Sequence, residues 1–242
     1  MPFSKAQAFA MRFLQALEAC ANGGATPVIP DLKRRSPKEG DLFRGRDPLA
    51  LSGDLAACGA PVFSVVTEGE RFGGSMRLLA DVAVSTPLLV LRKDFIRTVA
   101  AVEATAAAGA AAVLLIVSLL ESEKLLGELL AACAACGLDA LVETHTMRDV
   151  EMCNRFRPRL VGINNRDIRR GELDDGTVRT TERMKGRLRG DSFVVSESGI
   201  ETRDDVCRAL RAGCDAVLVG TAILRAPDPC AKYRELCGAA VA

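Results

Sequence analysis

At 242 residues the chain has the length of a single α/β barrel, which commonly runs to about 250, and its 49% hydrophobic content excludes disorder. Its 32 Lys and Arg nearly cancel its 31 Asp and Glu, and a formal charge of +1 gives no support to nucleic acid or an anionic membrane as partner. Nine cysteines with no signal peptide ahead of them argue against a disulfide framework and read as small, reduced core residues of a cytoplasmic protein.

The chain opens with Phe9, Phe13 and Leu17 at i, i+4 spacing, interleaved with Lys5, Arg12 and Glu18. That pattern predicts an amphipathic helix within an extension over residues 1–25, without the unbroken apolar run of a signal peptide. VIPDLK, Val28 to Lys33, predicts strand one. Asp31 and Lys33 stand two residues apart and therefore share a face of that strand. Pro30 lies inside the run, where it deletes a ladder hydrogen bond. A closed barrel has no edge strand to hide it, so a bulge or distortion is expected. The basic loop that follows, with Arg34, Arg35, Lys38 and Arg44, reads by default as solvated.

Seven further runs complete the set: PVFSVVT, PLLVLRK, AAVLLIV, DALVE, RLVGIN, SFVVSE and DAVLVG. Gly59, Gly109, Gly137 and Gly213 precede four of them, each at a helix end that wants a left-handed residue. The runs are short and apolar on both faces, as parallel strands covered on both sides should be. The longest apolar stretch, Ala104 to Leu120, falls short of the roughly 20 residues of a membrane span and reads as a helix end followed by a buried strand. Cys133 and Cys136 form a CxxC in Ala-rich helical sequence with no second pair, which favours helix packing over metal or redox chemistry. Strand–helix alternation implies βα units, and eight units with no remainder imply a (β/α)8 TIM barrel, a single domain over residues 1–242.

The C-terminal ends of the strands are where this architecture collects catalytic groups. Strand one ends in Asp31 and Lys33, strand two in Thr67 and Glu68, strand three in Lys93 and Asp94, and strand five in Glu143. Strand six ends in Asn164, Asn165 and Arg166, strand seven in Ser196, Glu197, Ser198 and Gly199, and strand eight in Gly220 and Thr221. Any one of these alone is a solvated loop charge or a structural ion pair. Recurrence at so many strand ends points instead to a shared polar site. The Gly-containing turns after strands seven and eight let backbone N–H groups approach a phosphate. A small anionic sugar phosphate undergoing acid–base chemistry fits this combination. The lone histidine, His145, suits either a ligand contact or an ordering role in its loop. One histidine and no nucleophile elbow exclude a Ser-His-Asp hydrolase, and scattered cysteines give a metal site no support.

Nearly the whole chain resembles the indole-3-glycerol phosphate synthase family, in the segments KRRSPKEG, SVVTEGERFGGS, LRKDFI, AVLLIVSLL, LVETH, VGINNRDI, SESGIETRDDV and DAVLVGTAIL. The resemblance implies a cofactor-free ring closure in tryptophan biosynthesis, with Lys93 as general acid and Glu143 as its acid–base partner in dehydration. Lys33 and Asp31 would hold and activate substrate, and Asn164 and Arg166 would orient the intermediate. Ser36, Glu197, Ser198, Phe72 and Phe95 would line the site, with Gly199, Gly220 and Thr221 on the phosphate. Lys33 and Arg166 are expected to lower the Lys93 pKa by charge repulsion. It also implies pathway enzymes as candidate partners. The chain departs from the family in having Pro30-Asp31 where Ala-Glu is usual, and Ala101 and Ala111 where Gln and Asp are usual. Those departures leave a weakened, non-catalytic barrel as the alternative. A related isomerase, which uses a Cys ending strand one and an Asp ending strand six, does not match Asp31/Lys33 and Asn164.

Overall fold

A computed structural model describes residues 12–166 and 176–238. Eight parallel strands close into a barrel: β1 Val28–Leu32, β2 Phe63–Val66, β3 Val90–Lys93, β4 Ala112–Ile116, β5 Asp139–Thr144, β6 Leu160–Asn164, β7 Phe193–Glu197 and β8 Ala216–Val219. Each strand pairs with its neighbours in sequence, and β8 returns to β1. Helix α1, Phe13–Asn22, precedes β1, and Phe13, Leu14 and Leu17 of it are buried against the apolar interior of the barrel. Phe9 and Lys5 of the expected helix lie outside the described residues.

The outer helices are α2 Pro48–Ala57, α3 Met76–Ser85, α4 Val99–Ala107, α5 Glu123–Ala135, α6 Met147–Phe156, α7 Arg179–Met184, α8 Arg203–Arg211, α9 Thr221–Arg225 and α10 Pro229–Cys237. Short polar side chains start most of the longer ones: Asp47, Ser75, Thr98, Ser122, Thr146, Thr202 and Asp228 each accept a first-turn N–H. Helices α2, α4, α5 and α8 give way to left-handed Gly59, Gly109, Gly137 and Gly213, with φ of 96°, 84°, 70° and 95°. The apolar stretch from Ala104 divides between the end of α4 and β4, and among the described residues no helix is long and apolar enough to cross a membrane. All nine cysteines are free, and Cys133 is buried on α5.

Alternation along the strands builds the site. Ile29, Leu91, Leu114, Leu141, Leu160, Val195 and Leu218 belong to one buried cluster inside the barrel. Two positions on, where side chains face the same way, stand Asp31, Lys93, Ile116, Glu143, Gly162, Glu197 and Gly220. The register that packs an apolar floor therefore delivers a polar layer above it.

Pro30 is accommodated without the expected bulge. The pairing runs unbroken, with Val28, Ile29 and Pro30 opposite Val217, Leu218 and Val219, then Asp31 and Leu32 opposite Ser64 and Val65. The Val217 N–H donates to the Pro27 carbonyl at 3.0 Å, so the backbone N–H and C=O of odd-numbered residues along β1 face β8 and those of even-numbered residues face β2. The N–H that proline lacks would point toward β2, one step below where that ladder begins. The strand changes partner at the residue that has no donor.

Candidate active site

A cavity of about 730 Å³, its open mouth included, lies above the floor at the C-terminal ends of the strands. Asp31, Lys33, Phe72, Lys93, Phe95, Glu143, Asn164, Arg166, Ser198, Gly199, Gly220 and Thr221 all line it. Two of the expected residues do not. Ser36 is buried in a hairpin of Arg35–Ser36 with Gly40–Asp41, its hydroxyl accepting from the Lys38 N–H at 3.3 Å. Glu197 sits behind Lys93, wholly enclosed.

Lys93 ends β3, and its ammonium is clasped by two carboxylates. Nζ lies 3.1 Å from Glu143 Oε2 and 2.9 Å from Glu197 Oε2. Both glutamates are 0% exposed. Burial alone would pull the Lys93 pKa down, but Glu143, Glu197 and Asp31 together hold it well above the usual lysine value. This overturns the expected lowering: the barrel brings carboxylates to Lys93, and they outweigh Lys33 and Arg166. Burial pushes Glu143 up, and Lys93 and His145 more than offset it, leaving Glu143 below the ordinary carboxylate value. Glu197 goes the other way, pushed up to about 8 by burial and by the facing Glu143, against the pull of Lys93. The two shifts run in opposite directions, which makes Glu143 the more acidic member of the pair and Glu197 the one that holds a proton more readily.

The surroundings fix these groups. Asp31 Oδ1 accepts from Ser64 Oγ at 2.6 Å. A Cβ placed on Gly162 would stand 2.1 Å from Glu197 Oε1, so glycine there makes room for the carboxylate. Outside the barrel, buried Arg92 donates to Thr67 Oγ1 at 3.0 Å and to Asp94 Oδ2 at 2.8 Å. Asp94 Oδ1 in turn accepts the Phe95 N–H at 2.8 Å, which sets the chain just after Lys93. Lys33 lies over the Phe72 ring at 5.4 Å, and Arg71 over Phe95 at 5.7 Å, placing two aromatic faces beside cations at the mouth. Arg35 is structural where solvation was the default: its guanidinium donates to the carbonyls of Arg71, Gly69 and Glu70.

After β7 the backbone enters a sparsely populated region, with φ of 64° at Ser198 and 66° at Gly199. Asn165 holds this turn. Its Nδ2 donates to the Glu197 and Ser198 carbonyls and to Ser196 Oγ, each at 3.0 Å, and its Oδ1 accepts from both the N–H and hydroxyl of Thr181. A Cβ on Gly199 would fall 2.4 Å from the Gly176 carbonyl oxygen, so the turn is packed as tightly as glycine permits. Sequence reasoning noted Asn165 without giving it a role. The signal was its parity: it faces away from the side that Asn164 presents to the cavity.

At the rim, Arg225 joins two loops, with contacts at 3.1 Å to Glu39 beyond β1 and 2.6 Å to Glu201 beyond β7. The arrangement offers an ammonium held by two buried carboxyls of opposite shift, an apolar floor and glycine-containing turns after β7 and β8 that line the cavity.

A solved structure with the same fold is a thiamine phosphate pyrophosphorylase from Pyrococcus furiosus, with a TM-score of 0.62 over 87% of this chain and 93% of that one, at 15% identity. Curated relatives are more similar in sequence. Indole-3-glycerol phosphate synthase from Pyrococcus furiosus is 43% identical over 203 residues, covering 84% of this chain and 88% of that protein. Its namesake from Pyrococcus abyssi is 44% identical over 204 residues, covering 84% and 87%. The one from Dehalococcoides mccartyi is 38% identical over 217 residues, covering 88% and 82%. The family model for indole-3-glycerol phosphate synthase matches residues 3–236, and the chain belongs to that family.

Proposed function

We propose that this chain closes the indole ring, converting 1-(2-carboxyphenylamino)-1-deoxyribulose 5-phosphate to indole-3-glycerol phosphate, CO2 and water. Family membership supports the reaction, and one observation supports the roles: Lys93 is held between Glu143, shifted below the ordinary carboxylate value, and Glu197, pushed up to about 8.

In this reading the substrate's aryl ring lies over the apolar floor beside Phe72 and Phe95, and its phosphate meets the Ser198–Gly199 and Gly220–Thr221 turns. Lys33 and Arg166 take its carboxylate and orient the chain, with Asn164 and Asp31 beside the reacting carbons. The ring carbon bearing the carboxylate attacks the ribulose carbonyl, a C–C bond forms, and Lys93 gives its proton to the oxygen. A raised lysine pKa does not prevent this. An alkoxide is a base in the range of hydroxide and far stronger than a lysine amine, so the transfer remains downhill. Glu197 then returns a proton to Lys93. Loss of CO2 leaves its bonding electrons on the ring. The new hydroxyl departs as water with a proton from Lys93, while Glu143 takes the proton released from the ring system. The setting that goes with this chemistry is cytoplasmic, alongside other enzymes of tryptophan biosynthesis.

The decisive experiment follows indole fluorescence when purified protein meets the carboxyphenylamino substrate. Steady formation of product is expected. Absence of product at saturating substrate would leave the weakened-barrel alternative in its place.

A further inference from the structure

Glu143 spends one carboxylate oxygen on Lys93. The other, Oε1, is buried and has no aligned hydrogen bond, yet it lies 3.2 Å from Nε2 of His145. That ring nitrogen is likewise buried without an aligned partner. One atom accepts and the other can donate, so a small rotation of either side chain completes the bond. On the far side of the ring, Nδ1 lies 3.4 Å from Ser118 Oγ. The imidazole is almost wholly enclosed, with 4% of its side chain exposed. Its backbone is clamped too, because the N–H groups of His145 and Thr146 both donate to Asp149 Oδ2 at 2.9 Å.

Lys93 contacts Glu143 and Glu197 at similar distances, so it does little to decide which of them carries the proton. A donor aimed at Glu143 alone breaks that tie. We propose that His145 is a positioning residue for ring closure: Nε2 donates to Oε1 of Glu143 while Ser118 donates to Nδ1, and this fixes Glu143 as the ionised member of the pair. The proposal rests on the reading of Glu143 as the base of the dehydration. The charged groups around the carboxylate are Lys93 and Glu197, both in direct contact with it, and Asp31 on the far side of Lys93, while Asp149 on α6 is turned toward the backbone of His145.

Two amide variants separate the contact from mere filling of space. Glutamine can bring an amide nitrogen to the place of Nε2, whereas asparagine reaches only that of Nδ1. His145→Ala is expected to lower kcat by about tenfold, a fraction of what a proton-transferring group contributes, with KM changed by less than about threefold. The acid limb of its kcat–pH profile should move to higher pH, because Glu143 loses a donor to its ionised form. His145→Gln should recover most of the rate and restore the limb, while His145→Asn should resemble alanine. Equal rescue by both amides, or an alanine variant with wild-type kcat and an unmoved limb, would overturn the proposal. A carboxyl 13C NMR titration, with Glu143 assigned by its disappearance in Glu143→Gln, reads the same shift without turnover. Failure of the wild-type enzyme to close the ring would therefore sink the functional reading alone. An unshifted Glu143 titration in His145→Ala would sink this one.

Discussion

Lys93 is clasped by two enclosed carboxyl groups and is the proton donor of the proposed ring closure, so removing it is expected to act on stability and rate together. Lys93→Ala is expected to lower kcat by about 10²-fold or more. The variant is also expected to lose stability, by less than the roughly 3–5 kcal/mol of a broken buried pair, because either glutamate can take up a proton. The sign of the pH dependence follows from the burial. Without the ammonium, burial leaves both carboxyls above their unfolded value, so their contribution is intact below about pH 4.5 and lost as pH rises through their raised folded values. Melting curves for variant and wild type should converge near pH 4 and separate above it. At Asp31 the packing decides the outcome. A Cβ on Gly220 would come within 3.1 Å of both Asp31 Cβ and Oδ2, and Ser64 already holds Oδ1 at 2.6 Å. An added methylene has no room toward β8 and must push the carboxylate toward Lys93. Asp31→Glu is therefore expected to lower kcat/KM by about tenfold, given that displacements near 1 Å cost up to ~10²-fold. A several-fold gain instead would mean that the site is better suited to glutamate and is decaying.

The turn after β7 joins strain to recognition. Ser198 adopts a left-handed conformation that costs an L-residue roughly 1–2 kcal/mol, and Asn165 supplies the hydrogen bonds that hold it there. Ser198→Gly should raise the melting temperature by about 2–4 °C, the response of a domain this size to ~1 kcal/mol, while raising KM through loss of the hydroxyl at the substrate. A variant with unchanged melting temperature would show that the turn is not strained. At this scale the sequence was most legible. Short runs apolar on both faces, four of them announced by a glycine, located every barrel strand, and the inward parity of Asp31, Lys93, Glu143 and Glu197 was implicit in them. What lay beyond reach was which strand ends meet across the barrel. Glu143 and Glu197 are 50 and 104 residues from Lys93, and only closure brings carboxylates rather than cations to the lysine. The role of His145 stayed open between a ligand contact and loop ordering for a different reason: which atom its ring faces depends on side-chain rotation, which spacing does not encode.

Taken whole, the barrel closes where β1 meets β8, and Pro30 occupies the one place in β1 where a missing donor coincides with a change of partner. The sequence announced a problem there, but the register that solves it belongs to three strands together. The rim is tied in a comparable way. Arg225 grips Glu39 and Glu201, and Arg35 grips the loop after β2, so segments from opposite ends of the chain are drawn together at the mouth. The Arg225 clasp is about two-fifths exposed, and its strength is open to ionic screening. One of its partners, Glu201, lines the cavity, so a change in the clasp is expected to reach the mouth through that residue. Arg225→Ala is expected to raise KM severalfold in dilute buffer. The difference from wild type should shrink by 0.5 M salt, at a Debye length of only a few ångströms. A gap independent of ionic strength would assign Arg225 to packing alone. A gap that closes with salt would mean that the enzyme's apparent affinity reflects, in part, how firmly one guanidinium holds two rim loops together, so that a change in the surrounding electrolyte alters flux without altering a single group that touches the reacting atoms.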